Sequence, residues 1–269
     1  MTEILKVLSS GGGVDSFAML VDALDRGEKP GLVLTADTGD EWSGTYWHLE
    51  NVVAPLCERE GIPFVLIDGK SYPIRGHRTL LEYFEAKRLI PSRISRLCTS
   101  AAKVERIAAY LTDQHPGKLY EVWVGFEAGE ERRAEKDPHG KSRSKDGRMN
   151  RFPLIEGRIC RCRAVALIKA HGLPVPPKSA CWYCPLGTRG DLKRVKAQMP
   201  EQFARLERLE DNCRVTKAGK IMRFGYAKGD GTDPRLADWV EKPYTPKSKP
   251  CSVCGAAVKE PKAAGCGCR

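Results

Sequence analysis

No run of apolar residues in this 269-residue chain approaches the roughly 20 that a bilayer-crossing helix needs, so no membrane span is expected. The start, MTEILKVLSS, has no basic stretch leading into a long apolar one; a secretory signal is therefore not expected, and the chain reads as cytoplasmic. Histidine is scarce and scattered: His48, His77, His115, His139 and His171 form no ligand spacing, and each reads as a surface or helix-end residue rather than a catalyst. Internal repeats are absent. Acids are in deficit, 34 against 45 Lys and Arg, and the resulting net charge of +11 favours polyanionic partners without saying anything about fold. The plain alternative is a basic, soluble surface.

Cysteine, by contrast, is plentiful. Eleven in a cytoplasmic chain, an odd number, argue against a disulfide framework and toward metal-binding or catalytic thiols. With 41% hydrophobic residues over this length, a full core can form without staples.

Residues 1–128 alternate strand and helix patterns. Apolar runs at Ile4–Leu8, Gly31–Ala36, Phe64–Ile67 and Val122–Gly125 are separated by helical spacings at Asp15–Leu24, Tyr46–Cys57 and Ser100–Leu111. This order predicts an α/β fold, a doubly wound and mainly parallel sheet, with ligands beyond the carboxyl ends of its strands. Residues 129–151 break the pattern: Arg132, Arg133, Lys136, Lys141, Arg143, Lys145, Arg148 and Arg151 crowd a stretch with Met149 almost alone as an apolar residue, and a basic loop is expected. A helical, cysteine-bearing region follows over 152–242, then a Pro- and Lys-rich linker at 243–250, then a small cysteine module at 251–269.

The most informative text is SSGGGVDS, set between the first strand and the first helix. Glycines let a backbone approach phosphate closely, and the helix behind them aims its amides and positive dipole end at the anion. Ser16 adds a hydroxyl, while Asp15 can position a metal or cap the helix. The G-x-x-x-x-G-K-[ST] pattern fails for want of a lysine, and G-x-G-x-x-G fits Gly11 and Gly13 but meets Ser16 where its third glycine belongs. Asp37, closing the second strand, would still suit the ribose-binding acid of that second class. A mere flexible strand–helix turn is a further alternative.

GGGVDS resembles the S-G-G-x-D-S loop of the ATP-pyrophosphatase, or PP-loop, superfamily, with Gly11 at the motif's first serine and Ser9 and Ser10 just upstream. Four further segments resemble the phosphoadenosine phosphosulfate (PAPS) reductase-like branch of that superfamily, in the order the branch requires. ADTGDEWSGTYWHLE is similar to its D-T-G-x-E…T segment. Arg96-Leu97-Cys98-Thr99 with Lys103 is similar to R-x-C-T-x-x-x-K. Gly125-Phe126-Glu127 with Glu131, Arg132 and Arg133 resembles its substrate-binding region, and Phe152-Pro153-Leu154 before KSACWYCP resembles its helical C-x-x-C-P region. The resemblance covers about residues 4–200. It implies a nucleotide held by Ser10, Gly11, Gly12, Gly13, Asp15, Ser16, Asp37, Thr38, Gly39 and Gly125. It further implies an anionic substrate met by Arg96, Lys103, Arg132 and Arg133, and Asp15, Cys98 and Arg133 in catalytic roles.

Cys181-x-x-Cys184 is a metal-type spacing. The resemblance implies that Cys98 joins it, with Cys160 or Cys162 as a fourth ligand, around an iron–sulfur cluster or zinc; unmetallated thiols are the remaining case. Cys57 and Cys213 fall at helical apolar positions and read as core. Cys251, Cys254, Cys266 and Cys268 lie in a segment almost devoid of hydrophobic residues, so metal is the expected source of its folding energy, as a zinc knuckle. A disordered tail, or a terminal nucleophile at Cys268, are the other readings; GCGCR does not match the E-C-G-[IL]-H that the latter requires.

Three functions remain open on this text. One is ATP- and Mg²⁺-dependent adenylation coupled to sulfur transfer onto DNA, tRNA or a nucleotide, with a sulfur donor as partner. A second is reduction of PAPS or its unphosphorylated analogue by a thiol, with a thioredoxin-like reductant. The third is a nucleic-acid-binding protein with a disabled nucleotide site.

Overall fold

The computed structural model describes residues 4–92, 97–213, 224, 234–243 and 251–255. Arg96, Cys266, Cys268 and most of the 243–250 linker lie outside these residues. The chain opens β1(Ile4–Ser9)–α1(Val14–Asp25)–β2(Leu32–Ala36). A long helix follows, made of α2(Ser43–His48), a π segment Leu49–Val53 and α3(Ala54–Arg59), and leads into β3(Phe64–Ile67). Next come α4(Leu80–Lys87), then α5(Leu97–Thr99), a π segment Ser100–Val104 and α6(Glu105–Gln114), which lead into β4(Leu119–Val124). The remainder is α7(Glu131–Glu135), β5(Arg148–Arg151), α8(Pro153–Glu156), α9(Arg161–Ala170), α10(Arg189–Gln198), α11(Pro200–Asn212) and α12(Leu236–Glu241).

All five strands are parallel, in the order β3-β2-β1-β4-β5. The expected doubly wound α/β sheet is present. The winding reverses between β1 and β4, which makes the crevice above those two strands the ligand position of such sheets. Alternation along the strands splits the core. Leu8, Val33 and Trp123 face α1, α3 and α9, whereas Val7, Leu32, Leu34, Tyr120 and Val122 face Ile107 and Leu111 of α6. A second core joins α4, α10, α11 and α12 through Leu80, Phe84, Val195, Leu206 and Val240, and takes in Trp182 and Tyr183.

Residues 129–151 are not a loop throughout, as the charge pattern suggested. They begin with a short helix, α7, and end in the edge strand β5, paired to β4 from Tyr120↔Arg148 to Trp123↔Arg151. The cations here are partly consumed by the fold. Arg148 is buried, Arg143 donates to the carbonyls of Gly147 and Tyr120, and Arg151 is held by Glu28, Glu121 and Glu156 while lying over Trp123. Arg132, Lys136, Lys141 and Lys145 remain exposed to solvent. No helix of the described residues is long and apolar enough to cross a membrane.

Candidate functional site

The glycine turn sits at the winding reversal. Ser10 N–H donates to Leu34 O (2.7 Å), which locks the turn onto β2 as soon as β1 ends. Gly12 has φ +69°, the left-handed region, and a Cβ there would lie 2.6 Å from Thr45 Cγ2, so the turn demands glycine on two counts. Gly125, after β4, is tightly packed as well: a Cβ would lie 3.1 Å from Ser16 N. A Cβ on Gly11 would meet nothing within 4 Å, so that side of the turn is open. Inside the turn, Ser16 Oγ donates to Gly13 O (3.1 Å) and accepts from Gly11 N–H (3.3 Å), and Ser10 Oγ accepts from Gly12 N–H (3.3 Å). Gly13 caps α1 with no side-chain hydrogen bond, so the first amides of a 12-residue helix are left to an outside anion.

Asp15 stands in that first turn. Burial pushes its carboxyl up, against the opposing pull of Arg161. Arg161 Nη1 contacts Oδ2 at 2.7 Å, while Oδ1 is buried with no hydrogen-bond partner. A buried carboxylate oxygen without a partner, beside an uncapped helix start, is a donor suited to a hard cation such as Mg²⁺. Glu127 adjoins it; burial, and then the charge of Asp15, push this carboxyl up as well, and its Oε2 is also buried and unpartnered. Arg133 lies over the Phe126 ring at 4.2 Å, pairs with Glu130, and contributes charge at Asp15; Arg132 points to solvent.

The turn after β2 forms the other wall. Asp37 Oδ1 accepts from Tyr46 OH (2.7 Å) and Gly39 N–H (2.8 Å). Arg106, buried, donates to the carbonyls of Asp37, Ile67 (2.6 Å) and Tyr72 (2.7 Å), tying the ends of β2 and β3 together. Residues 180–184 pack against this turn: Trp42 N–H donates to Ala180 O, Trp182 N–H to Asp40 O, and Ser179 Oγ reaches across to Gly11 O. Asp40 is buried and accepts from Leu81 N–H (2.7 Å) and Tyr183 OH (2.8 Å); burial raises its pKa to about 6.

A thiol group occupies the same end of the sheet. Cys181 Sγ lies 3.2 Å from Thr38 Oγ1, and Glu41 carries an ion pair to Lys103 at 3.8 Å. Burial alone would lower the Lys103 ammonium, but Glu41 and then the sulfurs of Cys181, Cys184 and Cys98 outweigh it and raise its pKa. Burial pushes the Cys181 and Cys184 thiols up. An open cavity borders Cys181 and Cys184 and is lined by Trp42, Lys178, Thr188 and Arg194.

Cys160 is not part of that group. Among the described residues, one set of cysteine ligand atoms all lie within 4.8 Å of one another: Cys160, Cys162, Cys251 and Cys254. The sequence pairings are thereby corrected in two respects. Cys160, the N-terminal cap of α9, leaves the Cys98–Cys181–Cys184 group: its sulfur lies 3.8 Å from that of Cys254. Cys251 and Cys254 meet Cys160 and Cys162 rather than standing alone as a separate module. His48 is corrected too: it is buried, lies edge-on to Phe17 at 4.8 Å, and burial lowers its pKa to about 4. Cys57 and Cys213 are core, as expected. Arg161 and Arg106 were not singled out by sequence; Glu41, Glu127 and Ser179 stood inside the segments ADTGDEWSGTYWHLE, Gly125-Phe126-Glu127 and KSACWYCP without a role of their own.

No protein-family model matches the chain, and no curated protein does. Solved structures similar to it include the PAPS reductase from Candida auris in a phosphate complex (16% identity, 65% of this chain and 76% of that one, TM-score 0.44). Others are the U34-tRNA thiolase NcsA from Methanococcus maripaludis with its [4Fe-4S] cluster (14%, 97% and 84%, 0.46) and the NH3-dependent NAD synthetase from Campylobacter jejuni with nitrate (16%, 77% and 82%, 0.36). All three are PP-loop superfamily proteins. At such identities and scores the likeness assigns no residue of this chain a role.

Proposed function

We propose that the chain is an adenine-nucleotide enzyme that activates an oxygen of its substrate by adenylation and replaces it with sulfur. The observation that carries this reading is the joint geometry of the glycine turn and the thiol group at one end of the sheet. The uncapped amides of α1 and the buried, unpartnered Oδ1 of Asp15 suit a triphosphate and its Mg²⁺. Thr38, next to Asp37, touches Cys181, so the two groups share a wall.

When bound, Mg²⁺ supplies charge to hold the pyrophosphate that leaves. The substrate oxygen attacks the α-phosphorus, the bond from that phosphorus to the α,β-bridging oxygen breaks, and pyrophosphate departs with the electron pair. Sulfide (HS⁻) delivered by an external donor past Cys98, Cys181 and Cys184 then attacks the activated carbon. The carbon–sulfur bond forms, the carbon–oxygen bond breaks, AMP leaves with that oxygen and its electron pair, and the sulfhydryl proton passes to solvent. Lys103, beside these cysteine sulfurs, favours the thiolate forms of Cys181 and Cys184 against the burial that pushes them up. These three thiols are also the set that would ligate an iron–sulfur cluster or zinc. Arg132, Lys136, Lys141 and Lys145, exposed on one segment, suit a DNA or tRNA acceptor.

The test is product analysis on anaerobically purified protein. With ATP, Mg²⁺, a sulfide source and tRNA or DNA, AMP and pyrophosphate should form. With PAPS and a dithiol, sulfite should not. Sulfite without AMP would replace this reading by the sulfonucleotide reductase. Neither product, with steeply salt-dependent nucleic-acid binding, would replace it by a binding protein.

A further inference from the structure

We propose that Cys160, Cys162, Cys251 and Cys254 bind one zinc ion as a four-thiolate site, which fastens residues 251–255 to the wall of the nucleotide crevice and fixes Arg161 against Asp15. The second half rests on the nucleotide reading above; the first does not.

The dimensions select a single ion. Zn–S bonds of about 2.3 Å give a tetrahedron with edges of about 3.8 Å. The Cys160 and Cys254 sulfurs are 3.8 Å apart, and all four sulfurs lie within 4.8 Å of one another. A four-iron cluster seats each thiolate on its own iron and spreads them wider than one tetrahedral edge. The ligands come as two short loops, C-x-C at the start of α9 and C-x2-C. Gly255, at φ +72°, closes the second loop through its N–H to Cys251 O (2.9 Å).

The site also has an address. Residues 252 and 253 press on the chain where it leaves β4: a Cβ on Gly129 would lie 3.0 Å from Ser252 Oγ and 3.2 Å from Val253 Cγ2. Arg161 stands between two of the ligands, and its guanidinium is, among the described residues, the side-chain partner of Asp15. Ligation at Cys160 and Cys162 holds both flanks of that arginine, so the ion acts on the glycine turn as a positioning group.

The experiment uses the full chain. Protein carrying Cys98→Ser/Cys181→Ser, which removes the other thiol group, and expressed in zinc-supplemented medium should hold one zinc per chain by plasma emission, and exchange with Co²⁺ should give the intense sulfur-to-cobalt charge-transfer bands of a four-thiolate site. Added to that parent, Cys162→Ser/Cys254→Ser should lose the zinc; Cys251→Ser serves if that pair fails to fold. Cys266→Ser/Cys268→Ser should keep it. Loss of zinc in the 266/268 pair, retention in the 162/254 pair, or a zinc-free 98/181 parent would each overturn the site. For the coupling, Mg-ATP affinity should fall about ten-fold in the zinc-free 162/254 variant, and unchanged affinity would overturn it. If the wild type binds no Mg-ATP, the nucleotide reading fails while the zinc count still decides the site.

Discussion

Gly12 offers a quantitative check on the geometry of the glycine turn, because two separate penalties attend any side chain there. The left-handed φ of +69° costs an alanine about 1–2 kcal/mol. Independently, the new Cβ would sit 2.6 Å from Thr45 Cγ2, and overpacking of this kind costs about 1–3 kcal/mol. Thr45 is buried, so its methyl has little room to retreat. Gly12→Ala should therefore lose about 2–5 kcal/mol in urea unfolding, and Mg-ATP affinity should fall with it. Thr45→Ser removes only the offending methyl and keeps the hydroxyl. In the double variant the overlap disappears and the backbone penalty remains, so about 1–3 kcal/mol should return while about 1–2 kcal/mol stays lost. The cycle of wild type, two single variants and the double variant isolates this coupling. A double variant no more stable than Gly12→Ala would refute the argument, since it would place the damage elsewhere than in the contact with α2.

Asp15→Asn keeps the shape of the side chain but removes the charge offered to a cation; turnover should fall at least about 100-fold with the melting temperature shifted by no more than a few degrees, and retained turnover would remove Asp15 from the site. Arg106→Met strips hydrogen bonds from the carbonyls of Asp37, Ile67 and Tyr72, so stability should drop by about 3 kcal/mol or more, and a loss under about 1 kcal/mol would contradict the clamp. Asp40 titrates at about 6 in the folded protein against 3.8 when free. The native state thus holds the extra proton between those values, and stability should decline by about 3 kcal/mol as pH climbs from about 4 to about 6, then level off. Asp40→Asn can still accept from Leu81 and Tyr183 at its amide oxygen and should lack that decline; identical pH slopes in the two proteins would point to another group.

The parallel sheet and the glycine turn were readable because their signals are local. Val7 and Leu8 alternate between the two faces, and the glycines that the backbone requires follow at once. β5 escaped notice for a physical reason. Arg148-Met149-Asn150-Arg151 has no apolar alternation, since its inward residue is a buried arginine and its last side chain is neutralised by three glutamates from β4, α8 and the β2 approach. Cysteine grouping was the least legible part. C-x-C and C-x2-C loops state that metal is nearby, but Cys160 and Cys254 stand 94 residues apart, and only the route of the chain decides which loops meet. His48 misled through its place at the end of α2, where the continuation of the helix through Leu49–Val53 buries it.

The contact between Ser179 and Gly11 spans 168 residues. On a ribosome, the glycine turn is therefore made long before the hydroxyl that will bond its carbonyl, by on the order of ten seconds at ordinary elongation rates. Arg161, the partner of Asp15, arrives almost as late. A nascent chain released before residue 160 would carry every glycine of the turn, yet neither Ser179 nor Arg161 to complete it. Synthesis itself thus orders the assembly: the glycine turn is not completed until the second half of the chain has come back to the first.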